Sequence, residues 1–335
     1  MTTYHLPLIT MTTLYPLKFT PIVKDKIWGG SKLKTLFDKP GATDKTGESW
    51  ELSGHDNDQS VVSNGFLAGN NLQELIEIYM GELVGDNIYQ QYGLTFPLLF
   101  KLIDANDNLS IQVHPGDEVA AERHNSFGKT EMWYIMDADP DGELVIGFKE
   151  ECSKEQYLKA MEDGTLEDIL QRVKVEKGDV FFIPAGLVHA IGKGVVLAEI
   201  QQTSDITYRI YDYKRVDDQG NERELHTEEA VDVIDYSASR NPKTIYNKAF
   251  NELSNLVTCE YFTTNVIRFN EELTRNYGQL DSFEVYMCVE GNFEIECHGE
   301  KTPVAKGETV LIPANVDEIH LIPQGEVTLL EVYVN

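Results

Sequence analysis

Cysteine is scarce in this chain: Cys152, Cys259, Cys288 and Cys297 are the only four in 335 residues. They form no C-x-x-C pair and, at this length, no disulfide framework, so they read as reduced structural thiols. Long apolar runs are missing too. None reaches the roughly 18 residues of a membrane helix, and the N-terminus lacks a charged segment followed by an apolar one. The chain is therefore expected in the cytoplasm. Positive charge is in short supply: 28 Lys and Arg face 56 Asp and Glu, a net charge of −28. That balance excludes nucleic acid, anionic membrane surfaces and other polyanions as partners. An anionic substrate would need a local basic cluster held against the protein's own field.

What is present is enough sequence for two domains with sizeable cores. Residues 1–13 are expected to form a leader. Met11-Thr12-Thr13-Leu14-Tyr15-Pro16 echoes the opening Met1-Thr2-Thr3-Tyr4-His5-Leu6-Pro7, which makes Met11 a candidate start. Strands are predicted over Leu14 to Ile22 and Glu48 to Ser53, with a tight turn at Trp28-Gly29-Gly30 between them. Leu72, Leu75, Ile76 and Tyr79 recur at helical spacing behind Asn71, an N-cap with Glu74 in capping-box register, so about 71–92 is read as a helical insert. Phe96 to Leu102 is a buried strand. Ser153 and Gln156 open a second helical insert, 153–172, broken near Gly164-Thr165. Strands return from Val173 to Thr207, a short helix is expected over Thr227 to Asp235, and polar residues 237–248 mark a domain boundary. The fold class is mainly β, with two β-sandwich domains at 14–245 and 246–335.

A repeat supports this division. Lys177-Gly178-Asp179-Val180-Phe181-Phe182-Ile183-Pro184-Ala185 matches Lys306-Gly307-Glu308-Thr309-Val310-Leu311-Ile312-Pro313-Ala314, and Glu131-Met132-Trp133-Tyr134 matches Glu284-Val285-Tyr286-Met287. The first pair is offset by 129 residues and the second by 153. The first copy thus carries about 24 extra residues between its motifs, close to the length of the 153–172 insert. One sandwich used twice explains both offsets.

The stretch from Leu109 to Tyr134 concentrates the chemistry. Gln112 and His114 are two residues apart in an alternating run, so on a strand they share a face. A turn at Pro115-Gly116 and a polar loop follow, then Glu131 opens the next strand and His189 follows a third. Two imidazoles, a carboxylate and an amide make a credible set for zinc or another divalent ion. The second copy has no counterpart of Gln112 and His114. At the place of His189 it carries Glu318, with His320 two residues on, so only the first copy is expected to hold metal.

Leu109-Ser110-Ile111-Gln112-Val113-His114-Pro115, Gly128-Lys129-Thr130-Glu131-Met132-Trp133-Tyr134 and Gln201-Gln202-Thr203-Ser204-Asp205-Ile206-Thr207-Tyr208-Arg209 together resemble type I phosphomannose isomerase, in its short bacterial form, within the cupin superfamily. The resemblance implies two cupin-like jelly rolls. It implies one zinc ion on Gln112, His114, Glu131 and His189, and interconversion of mannose 6-phosphate and fructose 6-phosphate. Met132 stands where the family usually has Cys, on the strand's other face. Lys101, Lys129 and Arg209 are the candidate cations for a sugar phosphate, with Ser110 beside them. Glu199 is the candidate proton carrier, Lys129 or a metal-bound water being the alternatives. Asp205 is read as orienting Arg209 or as an exposed acid, and His55 and His124 are not read as ligands. A non-catalytic sugar or sugar-phosphate sensor and an iron-dependent dioxygenase of the same fold are the rivals.

Overall fold

A computed structural model describes residues 13–216 and 219–335. The leader and the candidate start at Met11 lie outside the described residues, apart from Thr13. The chain is mainly β, as its alternating patterns predict, and its strands form two sandwiches.

In the first, a six-stranded sheet runs in the order Val180–Ile183, Glu131–Ala138, Val195–Gln202, Leu98–Ala105, Thr46–Leu52, Ile22–Gly30. It faces a five-stranded sheet of Leu170–Lys174, Glu143–Phe148, His189–Ile191, Ile111–Val113 and Tyr208–Tyr211. The tight turn expected at Trp28-Gly29-Gly30 is instead the end of the Ile22–Gly30 strand. It stays extended because Trp28 is buried and a Cβ on Gly29 would lie 2.2 Å from the Lys45 carbonyl oxygen.

The duplication is visible in the strand registers. Glu131 pairs with Ile183 and Glu284 with Ile312, at equivalent points of the two copies. Glu199 pairs with Trp133 and Lys101, while Glu331 pairs with Tyr286 and Asn265. Glu331 therefore occupies in the second sandwich the position of Glu199 in the first. The extra residues of the first copy fill one hairpin. Helices Lys154–Asp163 and Leu166–Ile169 join Glu143–Phe148 to Leu170–Lys174, whereas His298 and Gly299 alone turn between Asn292–Cys297 and Glu300–Ala305. The insert is shorter than expected, since Leu170 to Arg172 already belong to a strand. The polar loop expected after Pro115-Gly116 is largely a helix, Asp117–His124, whose face is too polar for a periodicity signal. The 71–92 insert is three short helices, Leu72–Tyr79, Gly81–Val84 and Asp86–Tyr92, interrupted at Met80 and Gly85, both with positive φ. Asn71 caps the first in the expected capping box. The helix expected over Thr227 to Asp235 ends early, at Thr227–Val231.

The two sandwiches share strands across the 245/246 division. Leu17–Thr20 pairs with Thr309–Ile312 and with Val61–Val62, so two strands from the N-terminal part extend the C-terminal sheet. The large sheets of both copies bury a common core that includes Phe96, Leu98, Phe100, Met132, Tyr134, Val266, Phe283, Val285 and Leu330. Met132 thus faces away from Glu131, as the alternation requires. Phe96 and Phe283 meet in this core with ring centroids 4.6 Å apart. Phe283→Ala removes a fully buried ring from both sandwiches at once. It is expected to lower stability by roughly 3–5 kcal/mol, read as a drop in the urea midpoint at unchanged slope.

The interior of the second sandwich holds a polar cluster amid Phe269, Phe293, Ile295, Ile319 and Leu321. Glu331 accepts from Arg275 Nη2 at 2.8 and 3.0 Å, from Tyr277 at 2.7 Å and from Asn265 at 3.2 Å. Glu284 lies near it, fully buried, and neither of its oxygens has a hydrogen-bond partner among the described residues. Burial, then the Glu331 charge, push the Glu284 carboxyl up to about 9, Arg275 opposing. Glutamate in an unfolded chain titrates near about 4.3. Between those values the native state keeps a proton that the unfolded chain has released, so stability falls as pH rises through the window. Glu284→Gln is expected to flatten that slope, by up to about 1.4 kcal/mol per pH unit, in denaturation midpoints measured from pH 5 to 9.

Candidate metal centre and substrate cleft

The first sandwich brings three strands' worth of donors to one buried point. Ile111–Val113 carries Gln112 and leads into His114, Glu131 opens its strand, and His189 opens another, paired directly with Gln112. His114 Nε2 lies 3.3 Å from Glu131 Oε1 and His189 Nε2 lies 4.0 Å from Glu131 Oε2. Gln112 Nε2 meets His189 Nε2 at 3.3 Å, so its amide sits at the edge of the same cluster. All four expected ligands are therefore together, and the three ionisable ones are 1% exposed or less.

Their second contacts aim them. His114 Nδ1 donates to the Ile206 carbonyl and His189 Nδ1 to the Leu187 carbonyl, each at 2.8 Å. That fixes the tautomer and leaves Nε2 of both rings as an acceptor turned into the cluster. His114 Nε2 and both Glu131 oxygens have no hydrogen-bond partner among the described residues. Buried polar atoms without partners are rare and ask for one. Burial, reinforced by the Lys129 charge, holds the His114 imidazole down at about 3, and burial lowers His189 as well. Burial opposes charge on Glu131, but Lys129 and then the two imidazoles hold its carboxyl well below the usual range. The result is two neutral imidazoles and a carboxylate, the protonation states in which these groups ligate. Two nitrogens and an oxygen, with an amide adjacent, fit a borderline divalent cation such as zinc. The 3.3 Å contact between His114 and Glu131 suits donors each about 2.1 Å from one ion.

Beside the cluster opens a cleft of about 330 Å³. Ser110, Gln112, Lys101, Lys129, Glu199 and Arg209, all expected from the sequence, line it. Lys129 Nζ lies 2.9 Å from Glu131 Oε1, an ion pair without hydrogen-bond alignment. Lys101 donates to Glu199 Oε1 at 3.0 Å and to Gln201 Oε1 at 2.6 Å. Burial works against the Lys101 charge, but Glu199, Glu48 and Glu131 outweigh it and raise its pKa. Glu199 Oε2 accepts from Trp133 Nε1 at 2.9 Å. Burial and then the Glu131 charge raise the Glu199 pKa against the pull of Lys101 and Lys129.

Asp205 does not orient Arg209. It is an exposed acid whose carboxylate is 3.6 Å from His55 Nε2, because its loop points it across the cleft mouth. His124 Nε2 meets the Tyr208 hydroxyl at 2.7 Å, away from the ligand set. Arg209 instead donates from Nη1 to the Glu224 carbonyl at 2.9 Å, and its Nε is buried without a partner among the described residues. Sequence reasoning missed Trp133, Trp50, Lys26 and Arg223. Trp133 was legible, two residues beyond Glu131 on the same face. Arg223 was not, since nothing local says that its loop returns to the cleft, where it donates to Asp212 from Nε at 2.6 Å.

A buried group of two imidazoles and a carboxylate that could hold a metal ion, set on a double jelly roll beside a cleft with a neighbouring acid and cations, defines an enzyme of the cupin class. Residues 16–157 match the family model for the type I phosphomannose isomerase catalytic domain, and residues 252–334 that for the mannose-6-phosphate isomerase cupin domain. Mannose-6-phosphate isomerase ManA of Bacillus subtilis strain 168 is 38% identical over 315 residues, 92% of this chain and 96% of that protein. The mannose-6-phosphate isomerase of Streptococcus mutans is 36% identical over 303 residues, 90% of this chain and 93% of that one. The crystal structure of the Bacillus subtilis mannose 6-phosphate isomerase superposes with a TM-score of 0.86 at 33% identity, over 95% of this chain and 99% of that one. The chain belongs to the type I phosphomannose isomerase family.

Proposed function

We propose that the chain interconverts mannose 6-phosphate and fructose 6-phosphate by moving a proton between C1 and C2 through an enediol(ate), with one zinc or other divalent ion held by Gln112, His114, Glu131 and His189. The observation that carries this reading is a buried set of two imidazoles and a carboxylate, with His114 Nε2 and both Glu131 oxygens partnerless among the described residues, beside a cleft lined by a buried carboxyl of raised pKa, Glu199. A bound divalent ion would supply Lewis-acid stabilisation beside the sugar oxygens.

The remaining steps fall to the chain's own groups. Glu199 takes the proton from one carbon and returns it to the other, a task that suits a carboxyl tuned upward by burial. Trp133 holds one of its oxygens in place, and Lys101 stands at the other, ready to share its charge with an oxyanion as Glu199 is protonated. Lys129 keeps Glu131 ionised. With both lysines engaged on carboxylates and Arg223 on Asp212, the phosphate falls to Arg209 with its partnerless Nε; the Arg223 charge, after burial, helps lower the Arg209 pKa. A guanidinium offers a phosphate planar, bidentate contact. Sugar phosphates do not cross a bilayer unaided, so the proposed site of action is the cytoplasm.

The test is conversion of mannose 6-phosphate followed through formation of fructose 6-phosphate. Turnover is expected with the phosphorylated hexose, and turnover of free mannose should be lower by a factor of about 100 or more, the roughly 2.7 kcal/mol that a lost phosphate contact represents. A folded protein loaded with zinc that converts neither would refute the proposal in favour of a sensor. Arg209→Ala is expected to retain metal and lower kcat/KM for mannose 6-phosphate roughly 100-fold, about 2.7 kcal/mol, measured by steady-state kinetics alongside metal analysis.

A further inference from the structure

The second sandwich lacks the metal ligands, but its mouth is not simply a blank copy. Where the first copy has Glu131, Trp133, Lys101 and Glu199, the equivalent register positions carry Glu284, Tyr286, Asn265 and Glu331. At this mouth a cleft of about 490 Å³ is lined by Leu253, Asn265, Arg275, Tyr277, Gln279 and Glu331, among others. Glu318 and His320, the sequence counterparts of the ligand His189, turn outward, and Ile319 and Leu321 fill the interior instead. No cation-binding set remains among the described residues of this sandwich.

We propose that this cleft is a second, metal-free binding site for a neutral polyhydroxy compound of hexose size. The floor offers a carboxylate, an amide, a guanidinium and phenols, mixed donors and acceptors in fixed positions. Arg275 already makes three hydrogen bonds to Glu331, one from Nε and two from Nη2, and that pairing neutralises it. An anion would meet Glu331 with no cation to spare, in a protein of net charge −28. An apolar ligand would strip water from Arg275 Nη1 and the Gln279 amide and give them no partner in exchange. Hydroxyls, each both donor and acceptor, satisfy this set. Leu253, 47% exposed, and Leu280 supply apolar contact for the C–H face of such a ring.

The test is saturation-transfer NMR with D-glucose as probe, on the zinc-loaded full chain, with an equilibrated mannose 6-phosphate and fructose 6-phosphate mixture present to occupy the catalytic cleft. Transfer to glucose is expected to persist with the hexose phosphates. It should fall at least threefold in Leu253→Trp, whose larger exposed side chain fills the cleft mouth without touching the polar cluster, and in Asn265→Ala. No transfer, transfer abolished by the hexose phosphates, or transfer unchanged in Leu253→Trp would overturn the site. Binding of inorganic phosphate in this cleft, seen as ³¹P broadening lost in Leu253→Trp, would overturn the ligand class.

Discussion

His189→Ala is expected to lose metal and turnover together. The side chain is 1% exposed, and its Nδ1 is committed to the Leu187 carbonyl, so its structural role is one hydrogen bond and its other nitrogen serves the cluster. Removing it leaves Glu131 and His114 as the ionisable donors, too few for a tight site. Metal content should fall from one ion per chain to below about a tenth, and kcat by at least about 100-fold, the upper range for losing even a group that only supports a ligand. Elemental analysis after gel filtration and a coupled assay read the two effects. The circular dichroism spectrum should match the parent's, because the ring adds little to the apolar core. A variant that keeps its metal would remove His189 from the ligand set.

Glu199→Gln is the counterpart: metal kept, chemistry lost. In the parent, both Glu199 oxygens accept, one from Lys101 and one from Trp133. An amide offers one oxygen and one NH₂, so it must set a donor against either an ammonium or an indole N–H. It also has no basicity with which to accept a proton from carbon. A fall in kcat of about 1,000-fold is expected, near the upper range for general acid–base catalysis. Metal content should be unchanged and KM should move less than kcat. Solvent deuterium incorporation into unreacted mannose 6-phosphate should fall in parallel. If the Glu199→Gln variant sustains exchange, the carrier is elsewhere, and Lys129 is the next to test.

Much of this was legible in the sequence because strands deliver function with period two. Gln112 with His114 is read off alternation alone, as Trp133 beside Glu131 could have been, and the His189 motif follows a turn-and-strand grammar that the second copy repeats. The duplicated motifs also locate the helical insert, since unequal offsets can only mean inserted chain. The misses have a common cause. Asp117–His124 was invisible because its helix turns almost no apolar face inward, with Ala120 its one buried residue. Trp28 to Gly30 looked like a turn because glycine pairs usually mark one; here Gly29 is required by the approach of Lys45. Arg223 and the exchange of Leu17–Thr20 into the far sheet depend on contacts between segments distant in the chain, which local patterns do not encode.

The central claim is that one divalent ion in the first sandwich enables aldose–ketose isomerisation. Its most direct test is turnover of mannose 6-phosphate before chelation, after chelation and exhaustive dialysis, and after titration with zinc. The account predicts that activity vanishes with the metal and returns in proportion to zinc, saturating at one equivalent per chain. Full turnover in metal-free protein, or recovery that saturates at a different stoichiometry, would contradict it.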